Sequence, residues 1–540
     1  MKGADVMVQC LELEGVDTVF GYPGVAIVPF FESLSHSEKI RSVLVRYEQN
    51  AAHAASGLAR TTGKVGVCVV TSGPGATNLL TGIATAFADS VPLVCITGQV
   101  RTDLIGRDVF QEADVTGAAE SFVKYSYLVK DVRDLPRVFK EAFYIASTGR
   151  KGPVLIDIPI DVQQKEVPSF RYPKTVNMRT YKPTVKGHAV QIQKVMKALN
   201  QAKQPVIMAG HGVMLADARE ELLAFAEKFD IPVASTMMAI DAVPSTHRLN
   251  LGMLGNNGRR YANKAINEAD LLIVVGCRLA DRAVQQPSLI VKDKTVVHID
   301  VDPAEIGKNA FPTIPLVGDV KSILSDFMSY DLPAVRRDDW VGQTDIWKKE
   351  LNYHRDPDPA YVDPEGFIHM LGEMMDEDGV YLADVGQNQI WSARYSVIKK
   401  GRFLTSGGMG TMSYSIPAAV GVCISNPGRQ VVAVIGDGAF QMCMMELDTI
   451  QQNHLPVKIV VLRNNVLGMV REYEHYAYAD HYAMIDLGRG PKLDKIAEAY
   501  DIPYLRLENM DGAEEVIRQF LESDTAMLLE CLIDPDDLVN

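Results

Sequence analysis

Short β-branched runs, many of them followed by glycine and then by a segment with helical periodicity, recur along the chain. The clearest runs are VGVCVV (65–70), PLVCI (92–96), PVLIDI (153–158), PVIMAG (205–210), LLIVVG (271–276), VVHIDV (296–301), VVAVIG (431–436) and VKIVVL (457–462). Buried strands that alternate with helices form parallel sheets covered on both faces. The sequence therefore predicts an α/β fold made of doubly wound parallel sheets.

One strand–turn–helix–strand unit is present near both ends of the chain. The first copy begins at a Gly-Pro-Gly turn (73–75) and reaches Pro92, and the last begins at a Gly-Asp-Gly turn (436–438) and reaches Pro456. The two copies have nearly the same length, and we interpret them as two domains of shared topology. A looser copy at 210–232 is interpreted as an ordinary βαβ unit.

Two stretches lose periodicity and gain proline and charge, and they predict domain boundaries. They cover 163–187 and 331–366 of the 540 residues. A chain of this length is too long for a single core. We therefore expect three doubly wound domains, near 1–165, 186–330 and 360–540.

Composition excludes several classes of protein. The net charge of −14 argues against a surface for nucleic acid or for anionic membranes. No apolar run approaches membrane-spanning length, and the first 15 residues resemble an amphipathic helix rather than a signal peptide. The seven cysteines lie singly in apolar surroundings, which predicts buried reduced thiols without disulfides or zinc. We expect a cytoplasmic protein that binds neither nucleic acid nor membranes.

A carboxylate and an amide follow two successive strand runs. Asp437 comes directly after the run at 431–436, and Asn464 comes just after the run at 457–462. Ligands of open parallel sheets bind beyond the carboxyl ends of the strands, and Mg²⁺ prefers oxygen ligands shared with phosphates. A tight turn in which Asp437 caps a helix is the simpler alternative. The asparagine at the matching strand end favours a metal–diphosphate clamp.

The Gly-Asp-Gly turn and the following strand that ends in an Asn pair resemble the signature of thiamine-diphosphate-dependent enzymes. Within the stretch RYEQNAAHAASGLAR (46–60), Glu48 opens a predicted helix of small residues. Alone, it would be interpreted as an acid stabilised by a helix dipole. The resemblance implies that Glu48 contacts the aminopyrimidine ring, where a carboxylic acid can protonate the ring and so activate the cofactor.

Within this family the chain is most similar to acetolactate (acetohydroxyacid) synthase catalytic subunits, and the similarity covers nearly the whole chain. It implies a thiamine-diphosphate-binding fold with an N-terminal pyrimidine-binding domain, a central domain and a C-terminal diphosphate-binding domain. It also implies decarboxylation of pyruvate and transfer of the two-carbon acyl unit to a second 2-oxo acid. The supporting stretches are 21–30, 71–100, 110–117, 149–163, 280–285, 298–309, 406–421 and 467–474.

The resemblance assigns residues to thiamine diphosphate and to Mg²⁺. Glu48 would be the activating acid, and Asp437, Asn464 and the carbonyl of Val466 would bind the metal. Gly410 would accept a hydrogen bond from the aminopyrimidine, and Met412 would force the bent cofactor conformation. The remaining residues of the cofactor site would be Gln387, Asn388, Gly436, Gly438, Ala439, Leu467, Gly468 and Met469. Arg463 replaces the first Asn of the family pattern, and Asn388 stands where the family usually has His.

Positions of the middle domain match those associated with FAD in these synthases. They are Arg150, Gly210, Gly212, Arg278, Asp281, Arg282, Asp300 and Asp319. Two family positions differ, because Ala280 replaces an Asp and Asn256-Asn257 replaces Met-His. A turn at Gly210 and Gly212 and a solvated face at the arginines are the alternatives, so the resemblance leaves FAD open.

The acceptor side departs most from the family. The resemblance assigns substrate contacts to Val25, Ala26, Phe110, Gln111 and Tyr473, with Gln111 also orienting the substrate. Val25 replaces a Gly, Ile160 replaces a Lys, and Tyr473 replaces a Trp that favours 2-oxobutyrate. These changes are compatible with coupling of two pyruvates, but equally with a related carboligase or 2-oxo-acid decarboxylase.

A catalytically inactive regulatory or assembly subunit is the alternative from another class, and the intact Glu48, Asp437 and Asn464 argue against it. In the family, the cofactor lies between the N-terminal domain of one subunit and the C-terminal domain of its partner. The resemblance therefore implies a homodimer or a dimer of dimers (a homotetramer). A regulatory small subunit is a further candidate partner.

Overall fold

The computed structural model describes residues 1–167, 169–352 and 356–539, and its strands form three six-stranded sheets. Residues 168 and 353–355 belong to the two predicted boundary stretches and lie outside the described residues. Neighbouring strands are parallel throughout the three sheets.

The first sheet has the strand order β2-β1-β3-β4-β6-β5. Its strands are β1 (Thr18–Tyr22), β2 (Arg41–Leu44), β3 (Gly66–Val70), β4 (Leu93–Gln99), β5 (Tyr125–Leu128) and β6 (Val154–Pro159). The helices around it are α1 (Gly3–Leu13), α2 (Val28–Leu34), α3 (Glu48–Thr62), α4 (Pro74–Ala88), α5 (Val115–Ala119), α6 (Leu135–Ser147) and α7 (Ile160–Gln164), with 3₁₀ turns at Val25–Ile27, Glu120–Phe122 and Val132–Asp134.

The second sheet has the order β12-β11-β10-β7-β8-β9. Its strands are β7 (Pro205–Ala209), β8 (Val233–Ser235), β9 (Asn250–Met253), β10 (Leu271–Val275), β11 (Thr295–Asp300) and β12 (Ile314–Val317). The helices are α8 (Ala189–Gln201), α9 (His211–Leu215), α10 (Arg219–Phe229), α11 (Arg260–Glu268), α12 (Pro287–Ile290), α13 (Val320–Ser329) and α14 (Asp338–Glu350), with a 3₁₀ segment at Met237–Ala242.

The third sheet has the order β14-β13-β15-β16-β18-β17. Its strands are β13 (Val380–Ala383), β14 (Arg402–Leu404), β15 (Val431–Gly436), β16 (Lys458–Arg463), β17 (Tyr504–Leu507) and β18 (Met527–Leu532). The helices are α15 (Pro364–Met374), α16 (Gln387–Tyr395), α17 (Ser415–Ser425), α18 (Asp437–Cys443), α19 (Glu446–Gln452), α20 (Gly468–Tyr478), α21 (Leu493–Ala499) and α22 (Ala513–Glu522).

The first and third sheets share one topology, and the second has another. When strands are numbered within each sheet, both outer sheets read 2-1-3-4-6-5, whereas the middle sheet reads 3-2-1-4-5-6. The interpretation of the outer units as domains of shared topology is therefore confirmed, as is the fold class of three doubly wound parallel sheets. The middle order is that of dinucleotide-binding folds, whose ligands lie where the order reverses.

All seven cysteines are buried, and none of them forms a disulfide in the structure. Over the described parts of the chain, no helix is both long and apolar enough to cross a membrane.

The second predicted boundary contains a helix, α14, that packs on the middle domain. The Trp340 Nε1 donates to the carbonyl of Pro205 at 3.0 Å, and Trp347 is buried beside Trp340. Two tryptophans seven residues apart lie on one face of a helix, so this spacing indicates a buried helical face. The many charged residues around them led to the prediction of a boundary instead. The proposed limits 1–165, 186–330 and 360–540 enclose the three sheets, and the positions of the limits stay a prediction.

The two outer domains share one apolar core, and α3 and α17 cross within it. The crossing is close because small residues meet there. A Cβ at Gly57 would collide with the carbonyl of Ala418, and a Cβ at Gly421 would collide with the carbonyl of Ala54. Backbone therefore packs directly on backbone between the N-terminal and C-terminal domains.

We expect Gly57→Ala to destabilise the protein, because the new methyl group must push α3 and α17 apart. Overpacking of this kind costs about 1–3 kcal/mol. Gly342→Ala, in α14, is the matched control, since nothing lies within 4 Å of a Cβ at that position. The control should gain about 0.4–1 kcal/mol. Thermal unfolding of both variants checks this, and an unchanged melting temperature for Gly57→Ala would contradict the account of the crossing.

Candidate active site

Asp437 and Asn464 lie at the adjacent carboxyl ends of two paired strands. Gly436, the last residue of β15, lies opposite Leu462 in β16. The Asp437 Oδ2 accepts a hydrogen bond from the backbone N–H of Asn465 at 2.8 Å, so the carboxylate reaches across to the neighbouring strand end. Burial disfavours the charged carboxylate and raises the pKa of Asp437 to about 6. A bound cation at this position would offset that burial.

The three residues predicted to bind metal lie together. The Asn464 Oδ1 accepts from the backbone N–H of Val466 at 3.2 Å, which bends the segment after β16 around the amide. Among the described residues, no group of three or more His, Cys, Asp and Glu side chains could hold a metal ion. The arrangement instead offers one carboxylate, one amide oxygen and backbone carbonyls. This donor set fits Mg²⁺, which usually keeps waters and phosphate oxygens in its shell.

Three helices begin at this edge of the third sheet. Gln387 opens α16, Asp437 opens α18 and Gly468 opens α20. They are close to one another, because Asn464 Nδ2 donates to Gln387 Oε1 at 3.5 Å and a Cβ at Gly468 would collide with Gln387 Oε1. Helix N-termini present free N–H groups and partial positive charge, which suits a diphosphate.

The amides of α16 are held by the protein. Gln387 Nε2 donates to the carbonyl of Asp537 at 2.7 Å and to Glu472 Oε2 at 3.2 Å. Asn388 Nδ2 donates to the carbonyls of Asp384 and Val434, each at 3.0 Å. The side-chain NH₂ groups of Gln387 and Asn388 both donate to acceptors within the protein, so these side chains stabilise the turn before α16.

Asp384 holds the segment that carries Gly410 and Met412 through hydrogen bonds. This carboxylate follows β13 and is fully buried, and it accepts from the backbone N–H groups of Ser413 at 2.8 Å and Ser415 at 2.7 Å. Burial raises the pKa of Asp384 to about 6. Gly410 has a left-handed φ of 66°, and the Met412 Cε lies 3.7 Å from the position of a Cβ on Gly438. Met412 therefore lies over the Gly-Asp-Gly turn.

The remaining predicted cofactor residues of the third domain surround this turn. The Leu467 side chain contacts Gly438, and the Leu467 N–H donates to the carbonyl of Ile485 at 2.8 Å. Ala439 is buried in the core that the two outer domains share, whereas Met469 packs from α20 against a separate core cluster. Ala439 thus supports the turn by packing.

A second group of predicted residues lies at the carboxyl edge of the first sheet. Glu48 is half-buried at the start of α3, and its Oε2 accepts from Asn78 Nδ2 at 3.1 Å. The Glu48 Oε1 lies 3.3 Å from the position of a Cβ on Gly75, and Gln111 packs directly over Gly73. The structure therefore brings Glu48 and Gln111 to the same Gly-Pro-Gly turn.

Three of the predicted substrate residues are open to solvent in the single chain. Val25 is 76%, Phe110 87% and Tyr473 64% exposed. Ala26 differs, because it is buried and its carbonyl accepts from Gln163 Nε2 at 2.8 Å. Ala26 thus anchors the turn that presents Val25.

All eight residues matched to FAD positions line two adjoining cavities. The larger one has a volume of about 500 Å³, within the range of ligand pockets, and the smaller about 100 Å³. Both are lined by His211, Gly276 and Arg278, and the larger extends from the middle domain to Gly407–Gly410 of the C-terminal domain. The cleft lies beyond β7 and β10, where the strand order of the middle sheet reverses.

Several of these residues also have structural roles. Gly210 and Gly212 pack against Gly276, where a Cβ would collide with its backbone. Asp319 caps α13 by accepting from the backbone N–H of Ser322 at 2.9 Å. Arg150 Nη1 donates to Glu305 Oε1 at 2.7 Å. The cleft is thus built by these contacts.

The charges around the cleft are mixed. Burial and the neighbouring acids Asp302 and Glu305 raise the pKa of Asp300 to about 6. Asp281 and Arg282 are exposed at the rim of the larger cavity.

Two residues of the site were missed from the sequence. Asp384 follows the apolar run VYLA in the same way that Asp437 follows VVAVIG, so the same signal was available for it. Asn465 has a left-handed φ of 59° and contacts both Asp437 and Arg463. No local pattern distinguishes Asn465 from its neighbour Asn464.

Three family models match the chain. They are described as the thiamine pyrophosphate enzyme N-terminal TPP binding domain (residues 1–118), central domain (192–327) and C-terminal TPP binding domain (384–531). Together they cover most of the chain, one model for each of the three sheets.

Full-length relatives agree with these matches. A probable acetolactate synthase large subunit of Methanocaldococcus jannaschii is 42% identical over 99% of this chain and 92% of its own. The acetolactate synthase of Mycobacterium bovis is 43% identical over 96% of this chain and 86% of its own. The acetolactate synthase large subunit of Lactococcus lactis is 39% identical over 100% of this chain and 93% of its own. The chain therefore belongs to the thiamine pyrophosphate enzymes, and within them to the acetolactate synthase family.

Proposed function

We propose that this chain is the catalytic subunit of a thiamine-diphosphate- and Mg²⁺-dependent acetolactate synthase, a transferase of branched-chain amino-acid biosynthesis that acts in the cytoplasm. It decarboxylates pyruvate and transfers the two-carbon acyl unit to a second 2-oxo acid, which gives 2-acetolactate. The observation that carries this proposal is the pairing of Asp437 and Asn464 at adjacent strand ends, beside three helix N-termini.

Thiamine diphosphate, when bound, supplies the nucleophilic carbon and the electron sink that decarboxylation of a 2-oxo acid requires. Glu48 holds and moves a proton at the aminopyrimidine ring, and the hydrogen bond from Asn78 fixes its carboxylate. Met412 and Gly410 support the ring from the other domain. Gln111, packed over Gly73, orients the substrate.

The metal would be held by Asp437, Asn464 and the Val466 carbonyl, and it would bring the diphosphate to the helix N-termini. The acceptor 2-oxo acid would meet Val25, Phe110 and Tyr473. Val25 and Tyr473 differ from the family residues, and contacts of this size change selectivity by about 1–3 kcal/mol. Pyruvate is therefore our proposed acceptor, in preference to 2-oxobutyrate.

The middle cleft is proposed to bind FAD. Its support is the convergence of Arg150, Arg278, Asp300 and the two glycines at the point where the strand order reverses. The contacts that shape the cleft, described above, do not use the side chains of Arg278, Asp281 and Arg282. These three side chains are therefore proposed to bind the ligand. The flavin would lie against Gly407–Gly410.

We propose a homodimer or a dimer of dimers as the active form. The support is that Val25, Phe110 and Tyr473 are exposed in the single chain, together with Met484, which is 97% exposed. An isologous interface would cover these residues and create two equivalent sites. Two of the relatives are named large subunits, and a regulatory small subunit is proposed as a further partner.

The cofactor content and the product test the proposed activity directly. Protein purified under native conditions should contain thiamine diphosphate, Mg²⁺ and FAD, and should convert pyruvate alone to 2-acetolactate and CO₂. Mass spectrometry of the released cofactors and chromatography of the product measure both. Acetaldehyde as the sole product would identify a decarboxylase instead, and absence of CO₂ release would identify an inactive subunit.

Glu48→Gln should nearly abolish turnover, because it removes the proton-transferring group but leaves the metal and diphosphate residues in place. Loss of a general acid–base group costs on the order of 10²–10⁴-fold in rate. Steady-state kinetics with pyruvate measures the loss, and equilibrium dialysis checks that thiamine diphosphate still binds. Glu38→Gln, an exposed acid of the same domain, is the control and should keep full activity. Near-normal turnover of Glu48→Gln would refute the role of Glu48.

Mixing two inactive variants should restore activity if the site lies between subunits. A heterodimer of Glu48→Gln and Asp437→Ala chains has one site with both residues intact. Activity of the mixture after subunit exchange, measured with pyruvate, should exceed that of either variant. Glu48→Gln mixed with the Glu48→Gln/Asp437→Ala double variant is the matched control and should stay inactive. No recovery despite proven exchange would place each site within a single chain.

A further inference from the structure

Arg463, the last residue of β16, links three segments of the C-terminal domain. Its Nε donates to Asn465 Oδ1 at 2.9 Å, its Nη1 donates to Glu530 Oε1 at 2.7 Å, and its Nη2 donates to the carbonyl of Arg489. One planar guanidinium therefore joins the segment after β16, the strand β18 and the loop before α21. Lysine could not bind three partners in this geometry.

Asn465 is held by hydrogen bonds at its backbone N–H, its carbonyl and its side-chain oxygen. Its backbone N–H donates to Asp437 Oδ2 at 2.8 Å, its carbonyl accepts from the N–H of Leu487 at 2.9 Å, and its side-chain oxygen accepts from Arg463. Its φ of 59° is in the left-handed region, which asparagine tolerates better than most residues. Asn465 lies directly between Asn464 and Val466, so its conformation sets the directions of both neighbours.

Glu530 anchors Arg463 to the third sheet. Its side chain is 3% exposed in β18, which pairs with β16, and the hydroxyl of Tyr504 donates to its second oxygen. Hydrogen bonds between charged groups are stronger than neutral ones, and both carboxylate oxygens are occupied here. Arg463 is thus anchored to the sheet on one side and holds Asn465 on the other.

We propose that Arg463 is a positioning residue that keeps residues 464–466 in their metal-binding conformation and so sets the Mg²⁺ affinity of the thiamine diphosphate site. The inference rests on the proposed function, because it assigns Mg²⁺ to Asp437, Asn464 and Val466. Without Arg463, Asn465 loses its side-chain partner, and its left-handed conformation must be recovered when the metal binds. Loss of a residue that orients metal ligands typically weakens metal affinity about 10–100-fold.

The test is Mg²⁺-dependent binding of thiamine diphosphate, measured by equilibrium dialysis on the full chain. In Arg463→Ala, the Mg²⁺ concentration for half-maximal binding should rise about 10–100-fold, and saturating Mg²⁺ should restore binding. Arg506→Ala, which removes an arginine that pairs with Glu508 at the neighbouring strand, should behave as the unmodified protein does. An unchanged Mg²⁺ dependence in Arg463→Ala overturns the inference. Absence of binding in the unmodified protein refutes the proposed function instead.

Arg463→Ala also leaves the buried Glu530 without its cation, which could prevent folding. Asn465→Gly avoids this, because it keeps the left-handed backbone accessible and removes only the side-chain partner of Arg463. It should raise the required Mg²⁺ concentration in the same direction, and an unchanged value overturns the inference. If both residues act through one contact, the double variant should require little more Mg²⁺ than the worse single variant. A shift equal to the product of the two single shifts overturns it as well.

Discussion

The backbone-to-backbone crossing of α3 and α17 is the contact on which the rest of the molecule depends. It exists because Ala54 and Gly57 face Ala418 and Gly421 without side chains between them. The crossing joins the outer domains into one apolar core, although more than 350 residues separate the two helices in sequence. It also brings the polar residues of α3 to the segment before α17.

That segment is held by the N-terminal domain as much as by its own. Arg60 donates to the carbonyl of Thr405 at 2.6 Å and to the hydroxyl of Tyr414 at 3.1 Å. Asp89 accepts from the backbone N–H groups of Gly407 and Gly408. A buried cation and a buried carboxylate thus both form hydrogen bonds to the segment that carries Gly410 and Met412. The conformation of this segment is therefore determined by two domains.

Much of the fold could be predicted because the relevant signals are local. Each of the eight apolar runs forms a strand, and the Gly-Asp-Gly and Gly-Pro-Gly turns lie at carboxyl ends of strands. Asp437 and Asn464 could be found because their strands are consecutive in the chain. Arg463 is anchored to Glu530, which lies 67 residues away, and no short pattern contains both ends of such a contact. The helix α14 was not predicted within the boundary at 331–366, because its two buried tryptophans are surrounded by charged residues.

The continuity of the helix α3 would matter mechanically in an assembly of two chains. Its 15 residues make a rod of about 22 Å, with Glu48 as its first residue and Arg60 in its last turn. Glu446, at the start of α19, fixes the first turn by accepting from the Arg46 N–H at 2.8 Å and from Asn50 Nδ2 at 2.9 Å. In the proposed dimer, Glu48 serves the site shared with the partner's C-terminal domain, whereas Arg60 holds the Gly410 segment of its own chain's site. A helix moves as a rigid body, so in such a dimer a displacement of α3 at one proposed site would be transmitted to the other without any loop in between.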